Sequence, residues 1–587
     1  MNVSDYIFEF LERKGVEHIF TVSGGGSIFL CDALARAKKM KYICNHHEQA
    51  SGFSAEAYAR ARNHVGVTLV TSGPGATNAL TACAASWHDH IPHIFISGQA
   101  FYNQTIAAHP GPRQIGGQEV DIVNIVRPIT KYAQIMKSPA HVYECLNLAW
   151  DLATKDRPGP VWLDIPGDVQ NARLPSELVS TRYTQHVTIG IRHAAVQVAG
   201  LLRNAKRPLI HLGNGARGTR FELLVEYQNI PFVTARNAND LVGSDHPLCI
   251  GRPGTFAQRG ACFAVQLCDV YLAIGTRLSL FQTGYNSKDY ARNAKIIQVD
   301  IDQAELDKGT LRDPMKICAD SGDFINELID ALSWWGGPLH CADWVKRCQD
   351  LRDRYPVVLP EYAEHKGSVN AYHFIDVLSD LLTPDDIIVT DMGFAFQNTH
   401  QAFRVKKGQR LITNCGLAPM GWGLPAAIGA AIGTSRRVIC ITGEGGLMMN
   451  IQELATVAHH NLPIKIFVLN NGGYLTIKQT QELGFEGRLM GVNHDTGLSF
   501  PNFGELAWSH RIRTGHIWEH QGIETRIREV LDGNYPVLCE ITMDPNQVQA
   551  PRAINRRNPD GTMNPTALED AFPYLPPEEI AEVMNGE

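Results

Sequence analysis

Two short segments of the sequence combine an acid, an amide and glycines in a pattern that could bind a metal ion and a phosphate. The carboxylate of Glu444, the side-chain amide of Asn471 and the backbone carbonyl of Gly473 supply oxygen ligands of the kind that Mg²⁺ prefers. The backbone N–H groups of Gly445 and Gly446 suit a phosphate, because they precede a predicted helix. The pattern therefore predicts a magnesium and phosphate site.

The elements expected around these residues place them at one edge of a sheet. The apolar runs 438–441 and 464–469 are typical of buried parallel strands, and 449–460 has the pattern of the helix between them. In such a βαβ unit the carboxyl ends of both strands lie at the same edge, where ligands of open α/β sheets bind. A glycine-acid turn by itself is an ordinary turn. The prediction of a site therefore depends on the spacing between the two segments.

The N-terminal third repeats this design with predicted strands at 18–22, 41–45, 65–71 and 93–97. Glu48 begins a predicted helix directly after the second strand, and the turn that holds Gly73 and Asn78 follows the third. Taken alone, an acid at a helix start is usually a charge placed favourably against the helix dipole. Because Glu48 also follows the end of a strand, the alternative is that it belongs to a binding or catalytic site.

The chain resembles the thiamine-diphosphate enzymes. In that family Gly-acid-Gly and Asn-Asn are separated by 24 to 27 residues, and here 24 residues lie between Gly445 and Asn470. The resemblance implies that Glu48 binds N1′ of the cofactor's aminopyrimidine and acts as a general acid, while Met420 holds the cofactor bent and the Ala418 carbonyl accepts from its amino group. The cofactor-binding residues that it implies are Gly73, Asn78, Gly393, Ala418, Met420, Gly443, Gly445, Gly446, Asn471, Tyr474 and Leu475, with Glu444, Asn471 and Gly473 on the metal. Most members have Asp at the position of Glu444.

Further segments resemble the acetohydroxyacid (acetolactate) synthase branch. The resemblance implies an active-site role for Gln118, although Gly117 stands where the synthases have Phe. It also implies FAD in the central region, bound through Arg277, Thr283, Gly284 and the acids Asp300 and Asp302. The two acids that the synthases carry between that arginine and the Thr-Gly pair are Ser279 and Leu280 here, so a vestigial nucleotide fold is the alternative.

The expected reaction is the decarboxylation of a 2-oxoacid such as pyruvate and transfer of its acyl unit to a carbonyl acceptor. Ile477 and Thr480 stand where pyruvate decarboxylases have Glu and synthases have Trp, which predicts a bulkier acceptor. The C-terminal tail is similar to that of carboligases that act on keto-sugar nucleotides, and Arg552, Arg556 and Arg557 could meet a diphosphate, although a solvated tail is the more common case. The alternatives are an acetolactate synthase that condenses two pyruvates, a thiamine-diphosphate-dependent C–C lyase or decarboxylase, and a redox enzyme that uses FAD.

Length and composition fit this interpretation. The 587 residues predict an α/β protein of three doubly wound parallel-sheet domains: a pyrimidine-binding domain at 1–180, a central nucleotide-binding-like domain at 189–335, a diphosphate-binding domain at 365–545 and a tail at 546–587.

A net charge of −7 without a basic run argues against nucleic acid as a partner, and the sequence has no run of 18 apolar residues that would suggest a membrane span. The N-terminus has acids instead of a signal-peptide core. The 13 cysteines without a C-x-x-C pair favour a reduced, cytoplasmic protein, and the resemblance implies a homodimer or a dimer of dimers.

Overall fold

Three six-stranded parallel sheets, each covered by helices, form the protein, and they confirm the predicted fold class. The computed structural model describes residues 1–175, 190–334, 336–554, 556–557, 560, 562–564 and 566–585. The predicted domain boundaries at 180, 189 and 335 lie outside these residues. Within the described ranges, no helix is long and apolar enough to cross a membrane.

The first domain has the strand order β2-β1-β3-β4-β6-β5. Its central strands are buried along their whole length, as expected for a parallel sheet with helices on both faces. The strands are β1 (His18–Thr21), β2 (Lys41–Cys44), β3 (Gly66–Val70), β4 (His93–Gln99), β5 (Tyr132–Ile135) and β6 (Pro160–Pro166); the helices are α1 (Val3–Arg13), α2 (Ile28–Arg36), α3 (Glu48–Arg62), α4 (Pro74–Asn78), α5 (Leu80–His88), α6 (Ile122–Val126), α7 (Val142–Thr154) and α8 (Gly167–Asn171).

The second domain has the order β12-β11-β10-β7-β8-β9 and its own apolar core. Its strands are β7 (Pro208–Leu212), β8 (Phe232–Thr234), β9 (Cys249–Gly251), β10 (Val270–Ile274), β11 (Lys295–Asp300) and β12 (Met315–Cys318); the helices are α9 (Ile191–Asn204), α10 (Phe221–Gln228), α11 (Arg259–Leu267), α12 (Leu280–Thr283), α13 (Gln303–Asp307), α14 (Ser321–Ser333) and the following α15 (Ala342–Arg354).

The third domain has the order β14-β13-β15-β16-β18-β17. Its strands are β13 (Ile387–Thr390), β14 (Arg410–Ile412), β15 (Val438–Gly443), β16 (Ile464–Asn470), β17 (Arg513–Ile517) and β18 (Val537–Thr542); the helices are α16 (Ala371–Leu381), α17 (Phe394–Ala402), α18 (Gly423–Thr434), α19 (Glu444–Met449), α20 (Leu454–His459), α21 (Leu475–Gly484), α22 (Phe503–Ser509) and α23 (Ile523–Leu531).

The prediction of one helix over 449–460 was wrong. The first helix of this segment, α19, already begins at Glu444, and the 3-10 turn Ile451–Glu453 separates it from α20. The break has a tertiary cause: the Asn450 amide donates to the Gly421 carbonyl at 2.8 Å, and Glu453 accepts from Asn45 and from the His46 N–H. These hydrogen bonds from distant segments compete with a continuous helix.

Helices α3 and α18 join the first and third domains through one shared core. Ser54 and Tyr58 on α3 face Gly429 and Gly433 on α18, each pair four residues apart, which is the spacing of helix ridges packed into grooves. A Cβ atom on Gly429 would lie 1.9 Å from the Ser54 carbonyl oxygen. The two backbones therefore touch, and glycine is required there.

The C-terminal tail folds back onto the second domain, where Leu568 and Val583 enter the apolar core. It forms the two-stranded ribbon β19 (Arg556–Arg557) and β20 (Met563–Asn564) and ends in α24 (Pro577–Asn585), beside α11. The tail thus ties the third domain to the second.

Candidate active site

The carboxyl ends of β15 and β16 bring Glu444 and Asn471 together, as predicted. The two strands are paired through Gly443 and Leu469, so the residues that follow are neighbours. Glu444 Oε1 accepts from the N–H groups of Asn471 at 3.1 Å and Gly473 at 2.8 Å. Burial raises the pKa of Glu444 to about 7, although these N–H groups favour its charged form. The carboxylate is thus fixed against the turn that carries the other two predicted metal ligands.

The two glycines at the start of α19 could not carry a side chain without displacing a neighbour. A Cβ atom on Gly445 would lie 2.1 Å from Tyr474 Cε1, and one on Gly446 would lie 2.6 Å from Asp391 Oδ2. Tyr474 and Asp391 can therefore pack against the start of α19 only because both positions are glycine, and neither residue has a side chain of its own to cover its N–H group. These bare N–H groups form a cradle. Together with the oxygen donors of Glu444, this cradle fits a phosphate-bound Mg²⁺.

Asp391, which was not among the predicted site residues, holds this edge of the third sheet together. It is fully buried at the end of β13 and accepts from the N–H groups of Met392 at 2.7 Å and Gly421 at 3.1 Å and from the Thr442 hydroxyl at 3.2 Å. Burial raises its pKa to about 6. Its position directly after a strand and before Gly393 was the available signal. Gly393 itself is the N-cap residue before α17 and has φ +71°, a conformation that favours glycine.

The turn before α18 places Ala418 and Met420 beside the cradle. Ala418 adopts a left-handed conformation with φ +57°, and Asn414 Oδ1 accepts from its N–H at 3.2 Å. Asn414 Nδ2 in turn donates at 2.9 Å to Glu56, a fully buried acid of α3. The Met420 methyl group lies 3.1 Å from where a Gly445 Cβ atom would be. The first domain therefore sets the position of this turn.

Glu48 is the first residue of α3, at the carboxyl edge of the first sheet, as predicted. Asn78 Nδ2 donates to Glu48 Oε2 at 2.9 Å. A Cβ atom on Gly73, which has φ +59°, would lie 2.3 Å from the backbone oxygen of Gln118. The structure thus brings four predicted residues, Glu48, Gly73, Asn78 and Gln118, to one place.

An acid next to Gln118 shapes the loop that carries it. Glu119 is 4% exposed, and its carboxylate accepts from the N–H groups of Ile115 at 2.9 Å, Gly116 at 3.2 Å and Ile106. Gln118 itself is exposed, with φ +59°. The buried acid therefore anchors the loop while Gln118 stays accessible.

Helix α21, which follows the Asn-Asn turn, exposes Ile477 and Thr480 and buries Gln479. The Tyr474 ring before it covers Gly445, and Leu475 packs into the apolar core. Arg552 of the tail donates to Gln479 Oε1 at 3.2 Å and is only 8% exposed, so the expectation of a solvated tail was wrong at this residue. The side chains of Arg556 and Arg557 lie outside the described part of the structure.

A cleft of about 620 Å³ opens at the carboxyl edge of the second sheet. Two of the residues predicted to bind FAD, Arg277 and Asp300, line it. Thr283 is buried, and neither Thr283 nor Gly284 belongs to its described lining. Arg157 binds Asp300 at 3.3 Å and Asp302 at 3.1 Å. The acids expected to meet a ligand are therefore already paired with an arginine.

Comparisons with known proteins cover all three domains. Family models described as "Thiamine pyrophosphate enzyme" match residues 1–124 (N-terminal TPP binding domain), 196–328 (central domain) and 391–541 (C-terminal TPP binding domain). The chain is 31% identical to acetolactate synthase isozyme 1 large subunit of Escherichia coli, over 100% of this chain and 97% of that protein. It is 32% identical to isozyme 2 large subunit of E. coli, covering 93% and 96%, and 32% identical to a probable acetolactate synthase large subunit of Methanocaldococcus jannaschii, covering 93% and 92%.

Proposed function

This chain is a thiamine-diphosphate-dependent enzyme of the acetolactate synthase family, and we propose that it is a Mg²⁺-dependent carboligase. In the proposed reaction it removes CO₂ from a 2-oxoacid such as pyruvate and joins the remaining acyl unit to a second carbonyl compound. One observation carries the proposal: the chain holds an acid, Glu48, at the edge of the first sheet and a carboxylate-glycine cradle at the edge of the third.

Thiamine diphosphate supplies a nucleophilic carbon that can add to the keto group of the donor and take up the electron pair released with CO₂. Glu444, Asn471 and Gly473 would hold Mg²⁺, and the N–H groups of Gly445 and Gly446 would bind the diphosphate. Glu48 would hold a proton at N1′ of the aminopyrimidine, and the Ala418 carbonyl would accept from its amino group. Met420, which lies beside the cradle, would hold the cofactor bent.

Substitution of Glu48 tests the proton transfer. Glu48→Gln removes the acid and keeps the shape of the side chain, so we expect CO₂ release from pyruvate to fall by about 10²- to 10⁴-fold, while calorimetry still detects binding of Mg²⁺ and thiamine diphosphate. Glu524→Gln is the control, because Glu524 lies in the first turn of α23 and is exposed. If Glu48→Gln consumes pyruvate as fast as the Glu524→Gln control, Glu48 interacts only with the helix dipole and the mechanism fails.

The acceptor decides between two candidate activities. The exposed, small Thr480 on α21 favours a bulky acceptor such as a keto-sugar nucleotide. The similarity to acetolactate synthases along the whole chain supports pyruvate as the second substrate. Incubation with Mg²⁺, thiamine diphosphate and labelled pyruvate, first alone and then with keto-sugar nucleotides, separates them by the product: acetolactate in one case and a branched sugar nucleotide in the other.

The central cleft, the assembly of subunits and the free cysteines complete the proposal. We propose FAD as an occupant of the central cleft because Arg277 and Asp300 line it, although the acids are paired with Arg157. We also propose a homodimer or a dimer of dimers, in which Glu48 of one subunit faces the metal ligands of another. All 13 cysteines are free thiols, which fits a reducing, cytoplasmic setting.

A further inference from the structure

The segment 45–47 leads from the edge strand β2 directly to Glu48. On one side it continues the pairing with β1, since the Asn45 N–H donates to the Thr21 carbonyl at 3.1 Å. Within the described residues β2 is the outermost strand of this sheet, so no further strand pairs with the segment on its other side. The first sheet by itself therefore supports the approach to Glu48 on one side only.

Glu453, in the 3-10 turn between α19 and α20 of the third domain, supports the other side. Its Oε1 accepts from the His46 N–H at 2.8 Å, and its Oε2 accepts from the Asn45 side-chain amide at 2.9 Å. The Thr456 hydroxyl donates to the same Oε2 at 2.8 Å and so holds the carboxylate from within its own domain. Glu453 is 0% exposed and Asn45 is 6% exposed, so water does not compete for these hydrogen bonds.

Asn450, three residues before Glu453, reaches the first residue after Glu48. Its buried Nδ2 lies 3.1 Å from Gln49 Oε1 and 2.8 Å from the Gly421 carbonyl oxygen, next to Met420. The residues on both sides of Glu48 are thus hydrogen-bonded to one short stretch of the third domain.

The carboxylate of Glu453 meets hydrogen-bond donors only, and both of its oxygens are used. Leucine has nearly the same size but no acceptor, so in its place it would leave the His46 N–H and the Asn45 amide buried without a partner. The segment would then shift toward water to satisfy these groups. Glu48, which follows at once in the chain, would move with it.

We propose that Glu453 is a positioning residue for Glu48: by holding the His46 N–H and the Asn45 side chain, it fixes the direction in which the Glu48 carboxylate points. The inference rests on the proposed function, in which Glu48 holds a proton at the aminopyrimidine of the cofactor. A displacement of about 1 Å at a reacting group can lower a rate by about 100-fold. Glu453 therefore affects the rate through Glu48 and takes no proton itself.

Hydrogen exchange in the cofactor-free protein tests the contact by itself. Glu453→Leu is compared with Thr456→Val, the matched control, which removes the hydroxyl behind the carboxylate and leaves both bonds to the first domain. The His46 N–H should exchange about tenfold or more faster in Glu453→Leu than in wild type, and within about threefold of wild type in Thr456→Val. Equal exchange in the two variants would overturn the proposal.

Kinetics of the loaded enzyme test the consequence for the reaction. In Glu453→Leu, kcat for CO₂ release and exchange of the proton on the cofactor's reactive carbon should fall together by about tenfold or more. The KM for pyruvate and the binding of Mg²⁺ and thiamine diphosphate should stay within about twofold. Glu453→Gln, which keeps one carbonyl acceptor, should recover part of the loss. A wild-type kcat in Glu453→Leu would refute the positioning role.

Combination with Glu48→Gln separates positioning from a general loss of structure. In the Glu48→Gln background, Glu453→Leu should lower the remaining rate by less than about twofold, because no acid is left to position. The same fold loss in both backgrounds would overturn the proposal. If Glu453→Leu does not fold, Asn45→Ala, which removes one of the two bonds, is measured in the same cycle against the same criterion.

Failure of the inference and failure of the proposed function give different results. Wild-type protein that neither releases CO₂ nor exchanges the cofactor proton would contradict the proposed function, and the positioning role with it. An active wild type in which the losses from Glu453→Leu and Glu48→Gln multiply would contradict the positioning role alone.

Discussion

Replacing Asn414 with alanine would remove the side chain that connects the buried acid of α3 to the turn carrying Ala418. Asn414 is fully buried, donates to Glu56 at 2.9 Å, and accepts from the N–H groups of Leu417 at 3.3 Å and Ala418 at 3.2 Å. A hydrogen bond to a buried charge contributes about 2 kcal/mol, and two long amide bonds add about 0.5 to 1 kcal/mol each. We therefore expect the free energy of unfolding to fall by about 3 to 4 kcal/mol.

Activity should change as well, because Asn414 holds the left-handed conformation of Ala418, which is unfavourable for a residue with a side chain. Without that hydrogen bond the Ala418 carbonyl can turn away from the expected cofactor, and we expect kcat for CO₂ release to fall by about tenfold or more. Equilibrium urea unfolding and steady-state kinetics measure the two effects. Thr390→Val is the matched control, since Thr390 is fully buried in the same domain and its hydroxyl has no partner among the described residues. It should not destabilise the protein, because a buried hydroxyl without a partner loses no hydrogen bond when a methyl group replaces it.

Two results would refute this reasoning. If Asn414→Ala and Thr390→Val have the same stability, the hydrogen bonds of Asn414 contribute nothing net. If Asn414→Ala is destabilised but keeps the wild-type kcat, the turn does not depend on Asn414 for its active conformation.

Two further predictions concern packing and pH. Gly429→Ala should destabilise the protein by about 1 to 3 kcal/mol or more, because the new methyl group meets the Ser54 carbonyl. Gly200→Ala in α9 is the control: a Cβ atom there has nothing within 4 Å, so the change should stabilise the protein by up to about 1 kcal/mol. Thermal unfolding compares the two variants, and equal Tm values would contradict the prediction. Burial raises the pKa of Asp164 to about 7 from its ordinary value of 3.8, so the folded state favours the protonated acid and stability should fall as pH rises from about 4 to 7, by about 4 kcal/mol in total. Asp164→Asn should remove this loss, so its stability relative to wild type should be greater at pH 8 than at pH 5; the same difference at both pH values would disprove the assignment.

The sequence predicted the fold class and the positions of the strand ends with little error, because buried parallel strands and glycine turns have strong local patterns. Glu48, Glu444 and Asn471 lie directly after strands as predicted, but their expected roles came from the family spacing and not from position alone. The residues that connect these segments could not be predicted. Asn414 and Glu56 are more than 350 positions apart. Such contacts depend on tertiary packing, which leaves no pattern in either segment alone.

The prediction of a single helix at 449–460 failed for the same reason. The local sequence favours a helix, but Asn450 and Glu453 make hydrogen bonds to the turn before α18 and to the end of β2. A tertiary contact outweighed the local preference there. The tail was misjudged in the same way, since nothing near Arg552 in the sequence shows that Gln479 will be its partner.

The contact between α3 and α18 also restricts how the enzyme can move. Backbones that touch without intervening side chains cannot slide past each other, and Ser54 Oγ fixes the register by donating to the Pro425 carbonyl at 2.8 Å. The first and third domains should therefore move as one rigid body, with no hinge between them. A conformational change that admits substrate would then have to occur in units smaller than these two domains.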